Sequence, residues 1–117
     1  MRVLVVDDEG IIADTRTLIL KHSGFEALAA CSGEAAIQTS ITLKPDLLIT
    51  DLKMDGLDGI DTGCRIRTLI PDCKVILISG HADTNDPLLQ ARLEEHSLEL
   101  LQKPVHPQTL LTRIHAP

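Results

Sequence analysis

VLVVDDEG, residues 3–10, decides the fold. Three valines and a leucine stand in an unbroken apolar run, and two aspartates follow at once. A strand with one face in water would alternate apolar with polar residues. An uninterrupted β-branched run suits a parallel strand covered on both faces. The same pattern returns in VILISG, residues 75–80, where the run ends on Ser79 and Gly80.

Working outward, further apolar runs lie at 27–30 (ALAA), 47–49 (LLI) and 98–101 (LELL). Alanine and leucine favour helix, so the runs at 27–30 and 98–101 are read as strands from their place in the alternation. The intervening segments carry helix signals. Residues 11–22 end before Gly24, a C-terminal glycine, and residues 33–43 follow Ser32 as N-cap and stop before Pro45. Residues 60–70 follow Asp58 and Gly59 and stop at Pro71. Asp86-Pro87 places a cap and a first-turn proline ahead of residues 88–96, and His106-Pro107 does the same for a last short helix. Five βα units with no internal repeat or linker predict one α/β domain over residues 1–117, a doubly wound parallel sheet.

Composition narrows the function. A chain of 117 residues, 44% hydrophobic and 24% charged, builds one core and no second domain. Its apolar runs are too short to cross a membrane, and acids interrupt the N-terminus where a signal peptide needs an apolar segment, so the expected setting is the cytoplasm. A net charge of −6 and a single aromatic, Phe25, argue against direct nucleic-acid binding. Cys31, Cys64 and Cys73 are odd in number and lack metal spacing, and are read as reduced, mostly buried small apolar residues. His22, His96, His106 and His115 likewise lack metal spacing and suit surface or cap positions.

Right-handed crossovers bring the carboxyl ends of all five strands to one edge, where open α/β sheets bind ligands. Asp7 and Asp8 follow the first strand, Asp51 ends the third, Ser79 ends the fourth and Lys103 follows the fifth. Three carboxylates together repel unless a cation offsets them. Oxygen-only ligands suit a hard ion, Mg²⁺ before a transition metal. Lys103 and Ser79 add a positive charge and a hydroxyl donor for the oxygens of a transferring phosphoryl group, with a carboxylate as nucleophile. Each signal has a plainer reading: strand-end aspartates often cap helices, and Lys-Pro pairs make turns. Their convergence from separate strands favours the functional one.

Within ITDLKMDGLDG, residues 49–59, three other readings compete. A calcium loop starting at Asp51 needs an acid or amide at its third position and a glutamate at its twelfth, but Lys53 and Thr62 stand there. A phosphohydrolase with an aspartate nucleophile typically needs a second acid at the position of Lys53. Glycine-rich nucleotide-binding motifs are absent from the sequence.

The whole chain resembles the receiver domains of two-component response regulators. The resemblance is carried by Asp7-Asp8-Glu9, by Asp51-Leu-Lys-Met54 with Gly59, by Ser79-Gly80 and by Gln-Lys103-Pro104. It implies a flavodoxin-like (βα)5 sandwich with strand order 2-1-3-4-5. It implies that Asp51 accepts a phosphoryl group from a phosphohistidine on a sensor histidine kinase or phosphotransfer protein, a self-phosphorylating and autodephosphorylating domain rather than a turnover enzyme. Asp8 would ligate Mg²⁺ directly and Asp7 largely through water, with Asp51 and the Lys53 carbonyl completing the set. Lys103 would pair with the phosphoryl group, and Ser79 would turn inward to it. Pro104 would follow a cis peptide. Ile11, Ile12, Asp14, Val105 and His106 would lie where the family docks its kinase, and the surface of helix 4, strand 5 and helix 5 would carry the signal to an effector. The other reading of the resemblance is a degenerate receiver acting only as an interaction module.

The chain departs from the family pattern at several places. Leu100 stands where receivers usually carry the aromatic of the switch, Asp55 where many have proline, and His96-Ser97 where a Gly-Ala pair is usual. Lys53 and His81, each two residues beyond a site residue, are expected to flank the path of an attacking water and tune the lifetime of the phosphate.

Overall fold

The computed structural model describes residues 1–80 and 86–115. Strands and helices alternate through the chain: β1 (Arg2–Val6), α1 (Gly10–His22), β2 (Glu26–Ala30), α2 (Gly33–Leu43), β3 (Leu47–Asp51), α3 (Gly59–Leu69), β4 (Lys74–Ser79), α4 (Pro87–Glu95), β5 (Glu99–Gln102) and α5 (Pro107–His115). The strands form one parallel sheet in the order β2-β1-β3-β4-β5. This is the doubly wound sheet that the unbroken apolar runs predict.

Strand alternation splits the core in two. Val3, Val5, Leu47, Ile49, Ile76 and Ile78 point to one face and pack with Leu20 of α1 and with Leu110 and Ile114 of α5. Leu4, Val6, Leu48, Val75 and Leu77 point to the other and meet Ala36 of α2, Ile60 and Ile66 of α3, and Leu89 and Leu93 of α4. Both faces of the central strands are thereby removed from water, which is why β1, β3 and β4 carry no polar alternation.

The caps read from sequence are formed. The Ala35 N–H donates to the Ser32 hydroxyl at 3.0 Å, the Asp61 N–H to Asp58 Oδ1 at 2.8 Å, and the Leu88 N–H to Asp86 Oδ1 at 3.0 Å. His106 acts likewise, its Nδ1 accepting from the Gln108 N–H at 3.1 Å. Gly24 closes α1 at φ +93°.

Two details differ from expectation. Cys31 is exposed in the turn after β2, so the cysteines are not uniformly buried; Cys64 is half-buried, and only Cys73 is enclosed, its thiol pushed up to about 11 by burial. β5 begins one residue later than its apolar run. Ser97 takes φ +54° and the Leu98 N–H donates to Leu93 O at 2.9 Å, so Leu98 still belongs to the C-terminal cap of α4. Arg67 of α3 ties this turn down, donating to the carbonyls of His96 and Cys73.

Candidate functional site

The sheet places the predicted groups at one edge. Asp7 directly follows β1, Asp51 is the last residue of β3 and Ser79 the last of β4. Backbone bonding carries the ladder beyond the strands: the Leu52 N–H donates to Ile78 O and the Lys103 N–H to Ser79 O, both at 2.8 Å. Lys103 is therefore fixed beside β4 by its own main chain, ahead of a cis Lys103-Pro104 peptide. Its Nζ lies 3.0 Å from Asp51 Oδ1.

Asp7, Asp8 and Asp51 each offer a carboxylate oxygen within 4.8 Å of the others. Asp7 and Asp51 are buried and Asp8 is exposed, so the cluster opens to solvent on the Asp8 side. Burial dominates the acidity of Asp51 and raises its carboxyl above 3.8, against the lowering effect of the Lys103 hydrogen bond and charge; Asp7 adds to the rise and Arg16 opposes it. The donor chemistry fits a hard divalent cation: oxygen atoms only, three formal negative charges, and an open side for water or a phosphate oxygen.

Asp7 is held on both oxygens. The Glu9 N–H donates to its Oδ1 at 2.9 Å, and Arg16 Nη1 lies 3.2 Å from its Oδ2. Arg16 is the contributor that sequence reading missed. Ala13, Thr17 and Leu20 mark the inward side of α1, and Arg16 falls beside that stripe at helical spacing. A basic residue next to a buried helical face was the available signal.

The other predicted residues separate. Ser79 is buried, with its hydroxyl 3.1 Å from the Gly80 carbonyl as donor rather than turned onto Asp51. Lys53 is exposed and lines a cavity of about 360 Å³ with Leu52, Leu88 and Arg92. Asp55 is exposed as well. Leu100 sits opposite Leu77 on β4, half-buried against the α4 side of the core. His81 lies outside the described residues. Ile11 is 83% exposed at the start of α1, beside the site edge, while Ile12 is half-buried.

Gly59 shows how tightly the edge is built. A side-chain carbon there would lie 2.3 Å from the carbonyl oxygen of Asp51 and 3.0 Å from Leu52 Cα. The start of α3 thus rests directly on the backbone of Asp51, and the Gly59 N–H donates to Leu52 O at 2.8 Å.

Fold and site together define a doubly wound α/β domain that gathers three acids, a hydroxyl and a paired lysine on the carboxyl edge of its sheet. The chain belongs to the response regulator receiver domain family of two-component signalling, whose family model matches residues 3–115. It is 32% identical over 115 residues to the DNA-binding response regulator MtrA of Mycobacterium tuberculosis, covering 98% of this chain and 49% of that protein. It is 31% identical to the transcriptional regulatory protein PrrA of Mycobacterium bovis, over 98% of this chain and 48% of the relative. The chain thus spans about half the length of the curated relatives it matches. Among solved structures, a response regulator receiver domain protein from Clostridium thermocellum superposes with a TM-score of 0.85 at 33% identity, covering 97% of this chain and 90% of that one. A CheY-like receiver domain protein from Methanospirillum hungatei gives 0.87 at 25% identity, over 97% and 89%. Among the described residues, no helix is long and apolar enough to cross a membrane.

Proposed function

We propose that Asp51 is the phosphoacceptor of this receiver and that a phosphohistidine on a sensor histidine kinase or phosphotransfer protein is the donor. The observation that carries this reading is the 3.0 Å pairing of Asp51 Oδ1 with Lys103 Nζ inside the three-acid cluster. A carboxylate oxygen of Asp51 attacks phosphorus, the phosphorus–nitrogen bond to the imidazole breaks, and the imidazole leaves with the electron pair. Lys103 holds the acceptor in place and meets the negative charge of the arriving group. Asp7, Asp8 and Asp51, with the Lys53 carbonyl, would hold Mg²⁺, which supplies charge neutralisation for the phosphoryl oxygens.

Ser79, buried one strand away, turns its hydroxyl from Gly80 O to the new phosphoryl oxygen. Leu100 answers by repacking against the α4 side of the core, since it has no ring to rotate and no hydroxyl to donate. The side chains of Lys53 and His81 tune how fast water removes the phosphate. We assign no nucleic-acid surface to this domain, whose net charge is −6.

The test is incubation with Mg²⁺ and acetyl phosphate, followed by intact-mass measurement. The expected result is a single phosphoryl increment that is absent in Asp51→Asn. Absence of any increment with acetyl phosphate, phosphoramidate and a phosphorylated kinase domain would overturn the reading in favour of an interaction-only receiver.

A further inference from the structure

Arg16 enters the site from α1, away from the strand ends that supply the other groups. Its side chain is 15% exposed and the Asp7 carboxylate it meets is 1% exposed, so the pair is held largely out of water. Among the described residues, the cluster sets three carboxylates against two cations paired with them, Lys103 from the β5 side and Arg16 from the α1 side. Among these five groups one negative charge is left over. A divalent cation approaching Asp8 from solvent therefore meets a site whose charge the protein has already largely neutralised.

We propose that Arg16 sets the affinity of the acid cluster for its divalent cation, serving as a built-in counter-charge while it holds Asp7 in place. This rests on the metal reading given above. The two functions pull in opposite directions, and charge is the larger. The guanidinium lies 3.2 Å from Asp7 Oδ2, and the cluster oxygens lie within 4.8 Å of one another. A cation among them lies within about 8 Å of Arg16, and because it sits toward the solvent-open Asp8 side the repulsion of a double by a single charge is screened to roughly tenfold in affinity. The orienting part is shared with the Glu9 N–H, which keeps Asp7 Oδ1 engaged when Arg16 is changed.

The test is a Mg²⁺ titration of the full chain by calorimetry, with Mn²⁺ binding followed by electron paramagnetic resonance as a second readout. Tryptophan and tyrosine are absent from the sequence, so no intrinsic indole or phenol signal would report the ion. Arg16→Gln keeps a hydrogen-bond donor and loses the charge; Arg16→Met loses both; Arg16→Lys keeps the charge. Expected dissociation constants are roughly tenfold lower for the Gln and Met variants and within about twofold of the parent for Lys, the gap narrowing as salt is added. Unchanged or weaker binding in a folded Arg16→Gln protein would overturn the proposal, because a merely packing or orienting role gives that result. A parent protein that binds neither ion at millimolar concentration would overturn the metal reading itself, whereas binding by the parent with no response to Arg16 overturns this inference alone.

Discussion

Replacing Gly59 with alanine tests how the acceptor is positioned. The added carbon would sit 2.3 Å from the Asp51 carbonyl oxygen, with Leu52 Cα and Leu77 Cδ2 each at 3.0 Å. An ordinary contact begins near 3.4 Å, so roughly 1 Å must open between the first turn of α3 and the end of β3, and two of the three obstructing atoms are backbone atoms with no rotamer to change. Overpacking of this kind costs about 1–3 kcal/mol, and rigid neighbours place it at the upper end. With an unfolding entropy of about 2.1 cal/mol/K per residue, a loss of about 3 kcal/mol lowers Tm by about 12 °C for a chain of this length. Two other glycines calibrate the series. Gly80→Ala meets nothing within 4 Å and should change stability by no more than about 0.5 kcal/mol. Gly24→Ala meets nothing either but sits at φ +93°, for a cost of about 1 kcal/mol. Thermal melts by far-ultraviolet circular dichroism give the order Gly80→Ala, Gly24→Ala, Gly59→Ala from least to most destabilised. The Gly59 variant should also accept phosphate from acetyl phosphate more slowly at temperatures where it is folded, because the displaced atom belongs to the acceptor. Equal melting points for Gly59→Ala and Gly80→Ala would refute the close approach of α3 to Asp51.

Two further outcomes follow from electrostatics. Burial raises the Asp51 carboxyl above 3.8, so the folded chain takes up this proton more readily than the unfolded one; stability falls as pH rises through the interval between the two values, and the penalty is complete above it. Asp51→Asn should therefore melt higher than the parent at pH 7 without divalent cation, with the difference closing as pH falls below the ordinary carboxylate range. Equal or lower melting of the variant at pH 7 would contradict this. Arg92 of α4 lies 3.8 Å from Asp58 Oδ2 and 3.3 Å from Asp61 Oδ1, with all three side chains at least one third exposed. Solvent screening limits Arg92→Ala to a loss of about 1 kcal/mol or less, and molar salt should abolish it. A loss above about 2 kcal/mol that persists in salt would show that the α3–α4 tether is more than a surface ion pair.

Legibility in the sequence followed physical cause. β1 and β4 were readable because burial on both faces selects β-branched residues in unbroken runs. β2 and β5 are edge strands, only partly covered, and their alanine and leucine content carries no strand preference; they were found only because five βα units need them. The caps at Ser32, Asp58 and Asp86 were readable because capping is local, settled within three residues. The five groups at the carboxyl edge were readable because parallel topology sends strand ends to one side. Arg16 was not, since its reach to Asp7 depends on the rotation of α1 against β1, which packing of Ala13, Thr17 and Leu20 decides. The orientation of Ser79 toward Gly80 O and the exposure of Cys31 are likewise set by local loop geometry that residue types do not encode.

The site holds Asp51 where burial disfavours its charged form, and the sheet supplies the rigidity to do so. Asp51 ends a strand whose residues are all buried, Asp7 follows the fully enclosed Val6, and Lys103 is joined by its main chain to Ser79. None of these groups depends on a long loop for its place, and the Asp51 carboxylate is tied to Lys103 at 3.0 Å. A counter-charge then has a strong effect, because the carboxylate has little freedom to relax around it. Among the described residues, Lys103 and Arg16 are counter-charges the fold already contains, one reaching the cluster from beyond β5 and the other from α1. Loss of either should act mainly on charge balance at Asp51 and only weakly on the sheet, whereas a change at Gly59 acts on the geometry of the acceptor itself. The edge is thus built from two separable parts, a rigid backbone frame and a nearly neutralised charge cluster, and perturbations of one should leave the signature of the other intact.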